Sequence, residues 1–200
     1  MGTPDNYPLC MNPVFRLRAT SAFVGVLTLL TASLIALSPA PAGAWAHHGC
    51  KFAGTSPVIA FRFMNASMTW DDRYREARDK WNATPVPGTF TLDNGASDPE
   101  IDISTGSFAQ GWWALATWTC SGGTYVSNEL TIQNNTRTIS GFSAERLRRI
   151  AIHEMGHAYG LAHVTTACNG VTAVMNGDAA PTCGGSAPWA DDQNGVTARY

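Results

Sequence analysis

The sequence predicts an α+β domain, α/β-like in its order of elements, with a mostly parallel sheet. Three observations lead there. From residue 58 onward the patterning runs strand, helix, several strands, helix and tail helix, which is how a layered core of sheet and helices is written in sequence. The chain has 200 residues, 44% hydrophobic and 14% charged, so it carries enough apolar material for one core and is neither disordered nor collagen-like. Residues 1–44 have the features of a processing segment, which leaves residues 45–200 as a single domain.

The processing segment comes first. Arg16 and Arg18 precede an uncharged run over residues 22–37, followed by Pro39, Pro41 and the small-residue site Ala42-Gly43-Ala44. Basic region, apolar region, helix breaker and Ala-x-Ala site spell a leader with a secretory signal peptide. The run falls short of the roughly 20 apolar residues that a spanning helix needs and is interrupted by Thr28, Thr31 and Ser33. Cleavage is expected before Trp45 or, at a second Ala-x-Ala site, before His47, giving a secreted, extracellular protein with no stable membrane association. Cleavage also removes Cys10 and leaves Cys50, Cys120, Cys168 and Cys183, an even set that implies two disulfides in an exported domain. Closing the short loop around Met175 is entropically easy, which favours Cys168–Cys183 with Cys50–Cys120; Cys120–Cys168 is the competing pairing.

Residues 58–64 are rich in β formers and predict a strand. Tyr74, Ala77 and Trp81 recur at helical spacing behind Asp71 and Asp72, predicting a helix over 71–81 that Pro85 and Pro87 terminate. Residues 89–92, 101–104, 112–120 and 130–133 predict further strands. Ser143 is a good N-cap with Glu145 in the first turn, and Leu147, Ile150, Ala151, Met155, Ala158 and Leu161 supply the apolar stripe of a second helix. Residues 190–200 suit a short terminal helix. Net charge is -2, from 13 Lys+Arg against 15 Asp+Glu, so phosphate binding has no electrostatic support and nucleic acid is excluded as a partner.

The chemistry is concentrated in His153-Glu154-Met155-Gly156-His157, followed by Gly160 and His163. Histidines four apart on a helix project from one face and can converge on one ion. Neutral imidazole is a good zinc ligand, and three protein ligands leave a fourth position open, the mark of a catalytic rather than a structural zinc. Glu154 is turned about 100° from His153 around the helix, which suits a general base rather than a ligand. Gly160 can adopt positive φ, letting the chain leave the helix and swing His163 back. His47 and His48 are expected to be solvated. Asp93, Asn94, Asp98, Glu100 and Asp102 offer hard oxygens suited to calcium, with solvated acidic turns as the alternative. Asn65, Asn82 and Asn134 each begin an Asn-x-Ser/Thr acceptor pattern.

This spacing resembles the metzincin zinc metalloproteases. Ala173-Val174-Met175-Asn176 resembles their Met-turn, in which Met175 would form a hydrophobic floor beneath the imidazoles. Residues 98–103, 114–119 and 191–200 resemble the third strand, the antiparallel edge strand and the closing helix of the matrixin-like branch. The resemblance implies a twisted, mostly parallel sheet with an antiparallel edge strand, an active-site helix, a Met-turn and a C-terminal helix. It also implies His153, His157 and His163 as zinc ligands, Glu154 as catalytic base, protein or peptide substrates and a monomer. By the same resemblance, residues 176–188 build the pocket for the residue after the cleaved bond. The chain departs from the family in having Gly177 where some members carry a tyrosine ligand, in lacking histidines for a second structural zinc, and in showing no propeptide between Ala44 and the first strand. The alternative is a secreted zinc-binding or adhesion module with this fold and no turnover, against which the intact Glu154 argues.

Overall fold

The computed structural model describes residues 45–65, 67–93, 95, 99–164, 173–177 and 186–200. The expected leader, Cys168, Cys183, Asn94 and Asp98 lie outside them. The main sheet has five strands: β2 (Val58–Phe63), β3 (Thr89–Leu92), β4 (Ile101–Gly106), β5 (Ala114–Thr117) and β8 (Leu130–Asn135). Their order is β3-β2-β4-β8-β5. The first four run parallel and β5 pairs with β8 antiparallel at the edge, as the resemblance implied. Two helices, α1 (Met68–Asn82) and α2 (Ala144–Ala158), pack on each other, α1 against β3 and α2 against β5, and α3 (Ala190–Arg199) closes the chain.

The sheet explains why the domain is α+β rather than doubly wound. Ile59, Phe61, Ile101, Ile103, Leu130, Ile132 and Ala116 alternate along the strands and are buried. Their neighbours on the opposite face are polar: Arg62 pairs with Asp102 across β2 and β4 at 2.7 Å, and the Thr117 and Thr131 hydroxyls meet at 2.7 Å. A parallel sheet is normally covered on both faces and reads as continuous apolar runs. Here one face is apolar and the other half-solvated, which is why the strands show alternation.

The helix α1 begins three residues earlier than its periodicity predicts and buries Trp70, Tyr74, Ala77 and Trp81. The Trp81 indole N–H donates to the Ile152 carbonyl at 3.0 Å, joining α1 to α2 one residue before His153. Ser143 caps α2 as expected, its hydroxyl accepting from the Arg146 N–H at 3.3 Å. The expected strand over 112–120 is broken: only 114–117 joins the main sheet, and β6 (Cys120–Ser121) turns through Gly122 and Gly123, both at positive φ, into β7 (Thr124–Tyr125). Two short strands were not legible: β1 (Ala46–His47) pairs antiparallel with β9 (Leu161–Ala162).

Several sequence patterns are put to structural use. Asn134 is fully buried, accepting from the Tyr74 hydroxyl at 2.9 Å and donating to the Ser104 carbonyl at 3.0 Å, so its acceptor pattern is inaccessible. Asn82 bridges both the N–H and the carbonyl of Phe90 at 2.8 Å. Of the residues suggested for calcium, Asp102 is paired with Arg62 and Glu100 accepts from the Ala60 N–H at 2.7 Å. No described helix is long and apolar enough to cross a membrane.

Cys50 and Cys120 form a disulfide, the pairing the sequence favours, and tie the N-terminal arm to the hairpin after β5. The two cysteines are 70 residues apart. A bridge over a loop of that size constrains the unfolded chain by about 4 kcal/mol in the chain-entropy model. Replacing both by serine is expected to lower the unfolding free energy by that order in a non-reducing denaturant titration. A loss below about 1 kcal/mol would mean that the arm is held by its hydrogen bonds alone.

Candidate metal centre

The helix α2 carries His153 and His157 one turn apart, both buried. It ends at Ala158, and the chain reverses at Gly160, whose φ of +92° fulfils the expected departure from helical geometry. A side chain there is excluded twice over, because a Cβ would stand 2.5 Å from the Cys50 carbonyl oxygen. The Gly160 N–H donates to the His157 carbonyl at 2.8 Å, β9 follows, and His163 returns to face the helix. The His163 Nε2 then lies 3.0 Å from that of His153 and 3.1 Å from that of His157. All three ligand atoms fall within 4.8 Å of one another, and among the described residues this is the group of histidine, cysteine or carboxylate side chains able to hold a metal ion.

The donor set fits a cation. The Nδ1 of His153 is 2.6 Å from the Val174 carbonyl and that of His157 is 2.8 Å from the Leu161 carbonyl. A carbonyl only accepts, so both Nδ1 atoms carry the proton and both Nε2 atoms present bare lone pairs. Burial, and then the neighbouring imidazoles, push His157 well below the ordinary histidine range, and burial pushes His153 down to about 4. Both are therefore in the neutral, ligating form. One proton on the His163 Nε2 could satisfy only one of the facing lone pairs, whereas a single cation satisfies all three. Orientation of ligand imidazoles by hydrogen bonds at the other ring nitrogen is a recurrent feature of metal sites.

Glu154 is 5% exposed and lies between two cavities, of about 390 and 410 Å3, lining both together with His163 and Ala114. Burial pushes its carboxyl up to about 8, partly offset by a hydrogen bond from the backbone of Ala116 on β5. A dication held beside it would favour the ionised form. The first cavity is walled by Gly111, Trp112, Trp113, Ile150 and Gly177. Its loop is ordered by Asn135, whose amide donates to the carbonyls of Gln110 at 2.9 Å and Trp112 at 3.1 Å while its oxygen accepts from the Phe108 N–H at 3.0 Å. Sequence reasoning missed Asn135, since it stands in an acceptor-like Asn-Asn-Thr stretch.

The histidines of the arm, expected to be solvated, are half-buried and hydrogen-bonded to distant parts of the chain. His47 Nε2 is 2.8 Å from the Gly195 carbonyl, and His48 Nε2 is 2.9 Å from the carbonyl of His157 and from the Tyr125 hydroxyl. Tyr125 also donates to the His157 carbonyl at 2.5 Å. The helix end that presents His157 is thus capped by the arm and the β6–β7 hairpin, which add to the Gly160 N–H already on that carbonyl.

Met175 is buried and its thioether presses on α2 at Gly156, where a Cβ would collide with the sulfur. Gly177 abuts the His163 ring, so no tyrosine ligand stands two residues beyond Met175. The turn is held from below by Asp192 on α3, another residue that sequence reasoning left unassigned. Its carboxylate accepts from the N–H groups of Val174 at 3.0 Å, Met175 at 3.3 Å and Trp189 at 2.8 Å. Burial nonetheless pushes Asp192 up to about 6, the three donors only partly offsetting it. A folded-state value above the unfolded one means that the neutral acid is the form the fold prefers. Its contribution to stability is full below about pH 4 and declines as the pH rises through about 6. The thermal midpoint of the wild type is expected to fall relative to that of Asp192→Asn across this interval, and parallel curves would refute the assignment. Asp192→Ala, which orphans three N–H groups, is expected to cost about 2–4 kcal/mol.

No family model and no curated protein matches the chain. Two solved structures of myroilysin align with it. One is 21% identical with a TM-score of 0.44, and the other 20% identical with a TM-score of 0.39. Each alignment covers 60% of this chain and 54% of the other, so the match spans about half the length of those structures.

Proposed function

We propose that residues 45–200 form a secreted zinc-dependent endopeptidase of metzincin type. The observation that carries the proposal is the convergence of three imidazole nitrogens beside a buried carboxyl at the open edge of a sheet. His153, His157 and His163 would hold the ion, and an all-imidazole set of three suits zinc with one position left for reaction. When bound, the ion supplies Lewis-acid polarisation of the scissile carbonyl and acidifies water.

The remaining steps belong to the chain's own residues. The outer side of β5 pairs with no other strand among the described residues, so it offers main-chain hydrogen bonds to an extended peptide. Such a peptide lies along Ala114, Leu115 and Ala116, with its scissile bond over Glu154 and its flanking side chains directed to the two cavities. Glu154 accepts the proton of the attacking water and delivers it to the departing amine. Its burial keeps bulk water from competing for that proton. The Ala116 backbone and α2 fix its position relative to the peptide's own strand.

Zinc content of the purified protein, together with cleavage of a mixed peptide library, tests the proposal. Chelation is expected to abolish cleavage and added zinc to restore it; full activity in verified metal-free protein would overturn the mechanism. Glu154→Ala is expected to keep its metal and its fold and to lose activity by a factor of 10² to 10⁴ or more, on the order expected of a general base. Turnover near the wild-type rate in the metal-loaded variant would remove Glu154 from the role.

Processing is tested separately. Cleavage after Ala44 keeps both residues of β1, whereas cleavage before His47 removes the Ala46 partner of Ala162. N-terminal sequencing of exported protein is therefore expected to begin at Trp45. A start at Met1 or Met11 would refute a cleaved leader.

A further inference from the structure

The cavity of about 410 Å3 lies beyond Ala116 at the far end of β5, continuous with Glu154, His157 and His163. Its distinctive wall is aromatic. The His48 ring stacks on the Trp118 indole with centroids 4.0 Å apart and planes 26° apart. Tyr125 meets Trp118 edge-on at 6.4 Å and holds His48 through its hydroxyl. Because Nε2 of His48 is engaged by the Tyr125 hydroxyl and the His157 carbonyl, the histidine contributes ring surface rather than a free polar edge. Ala116 and Ala162 are small enough to leave the space open, and Leu115 adds an exposed apolar side chain. Glu154 is the one carboxylate among the described lining residues, and it is buried beside the histidines, so a charged guest gains no ion pair at the aromatic end.

Direction follows from the strand. β5 runs from the cavity at Trp113 towards the one at Trp118. Antiparallel pairing is the more stable arrangement per residue. A peptide paired that way enters at Trp118 and leaves at Trp113, which puts the residues before the cleaved bond at the aromatic wall. We propose that this cavity binds an aromatic side chain of the substrate on the amino-terminal side of the cleaved bond, with Trp118 and the arm residue His48 as its recognition surface. This rests on the endopeptidase function proposed above and adds the specificity of its substrate.

The experiment uses fluorogenic peptides on one scaffold, with Phe or Ala placed in turn at each of the positions preceding the cleaved bond. Wild-type protein is expected to prefer Phe over Ala by roughly 10- to 200-fold in kcat/KM at one of them, the range an apolar pocket achieves. In Trp118→Ala that ratio is expected to collapse by about tenfold or more, chiefly through KM, and Trp118→Phe is expected to restore most of it by returning a flat ring. Leu115→Asp, at an exposed position of the same lining, is expected to lower the ratio too, which keeps the test open if Trp118→Ala does not fold. Equal losses on the Phe and Ala peptides, leaving the ratio unchanged, would reduce Trp118 to a structural role and overturn the proposal. So would a wild-type enzyme indifferent to Phe at every position before the bond. Failure of the wild type to cleave either peptide would instead count against the endopeptidase function itself.

Discussion

Two hydrogen bonds at the rear of two imidazoles decide the rest of this structure. The carbonyls of Val174 and Leu161 fix the Nδ1 protons of His153 and His157 and thereby aim two lone pairs at the Nε2 of His163. Such an arrangement is electrostatically unfavourable until a cation enters it, so it persists only because its supports are rigid. Each support comes from a different part of the chain. Leu161 is held by the arm through the pairing of β1 with β9, Val174 by Asp192 on α3, and the helix itself by the Trp81 indole on the Ile152 carbonyl. The site is thus less a property of eleven consecutive residues than of three separate braces that meet there.

That division also separates what is legible in the sequence from what is not. The chemistry-bearing residues lie at fixed offsets on one helix and its C-terminal turn, and helical spacing, an N-cap serine and a glycine at positive φ are all local signals. A strand over 112–120 was legible as an apolar stretch, but its place at the antiparallel edge came from the family resemblance alone, not from any local signal. The braces were not legible. His47 and His48 look like an ordinary polar start, and their partners Gly195 and His157 lie 148 and 109 residues away. Asp192 reads as an acidic residue in the first turn of a terminal helix, where a carboxylate is expected anyway. Nothing local marks it as the acceptor for the backbone beneath the histidines. Asn134 begins a glycosylation pattern of which Asn135 is the middle residue, yet both side chains are buried and bonded. Pattern alone cannot distinguish an exposed amide from one that organises a loop.

The sheet carries a related lesson about class. A parallel sheet predicted from element order would ordinarily be sandwiched by helices. The cross-strand pair Arg62–Asp102 and the Thr117–Thr131 contact show a face that is not. With α1 and α2 meeting each other as well as strands β3 and β5, the core is a two-layer one. Among the described residues, the exposed edge of β5 and the helix end beside it border the histidine cluster and both cavities. The cleft is where the two layers run out, and its two cavities fall on either side of that edge.

Within residues 45–200 the arm is bonded to the last helix and its end. Its hydrogen bonds to Gly195, Arg199 and Tyr200 join residues 148 positions apart, and the same arm caps the helix that presents His157. Contacts of such sequence separation are made late and slowly, because the intervening chain must first be confined. A chain that stops before α3 therefore lacks both Asp192 and the carbonyls on which His47 and Lys51 land, and the turn beneath the histidines loses its acceptor. The arm and the last helix are therefore mutually dependent: shortening either would remove a support from the helix end that presents His157 or from the turn beneath the histidines.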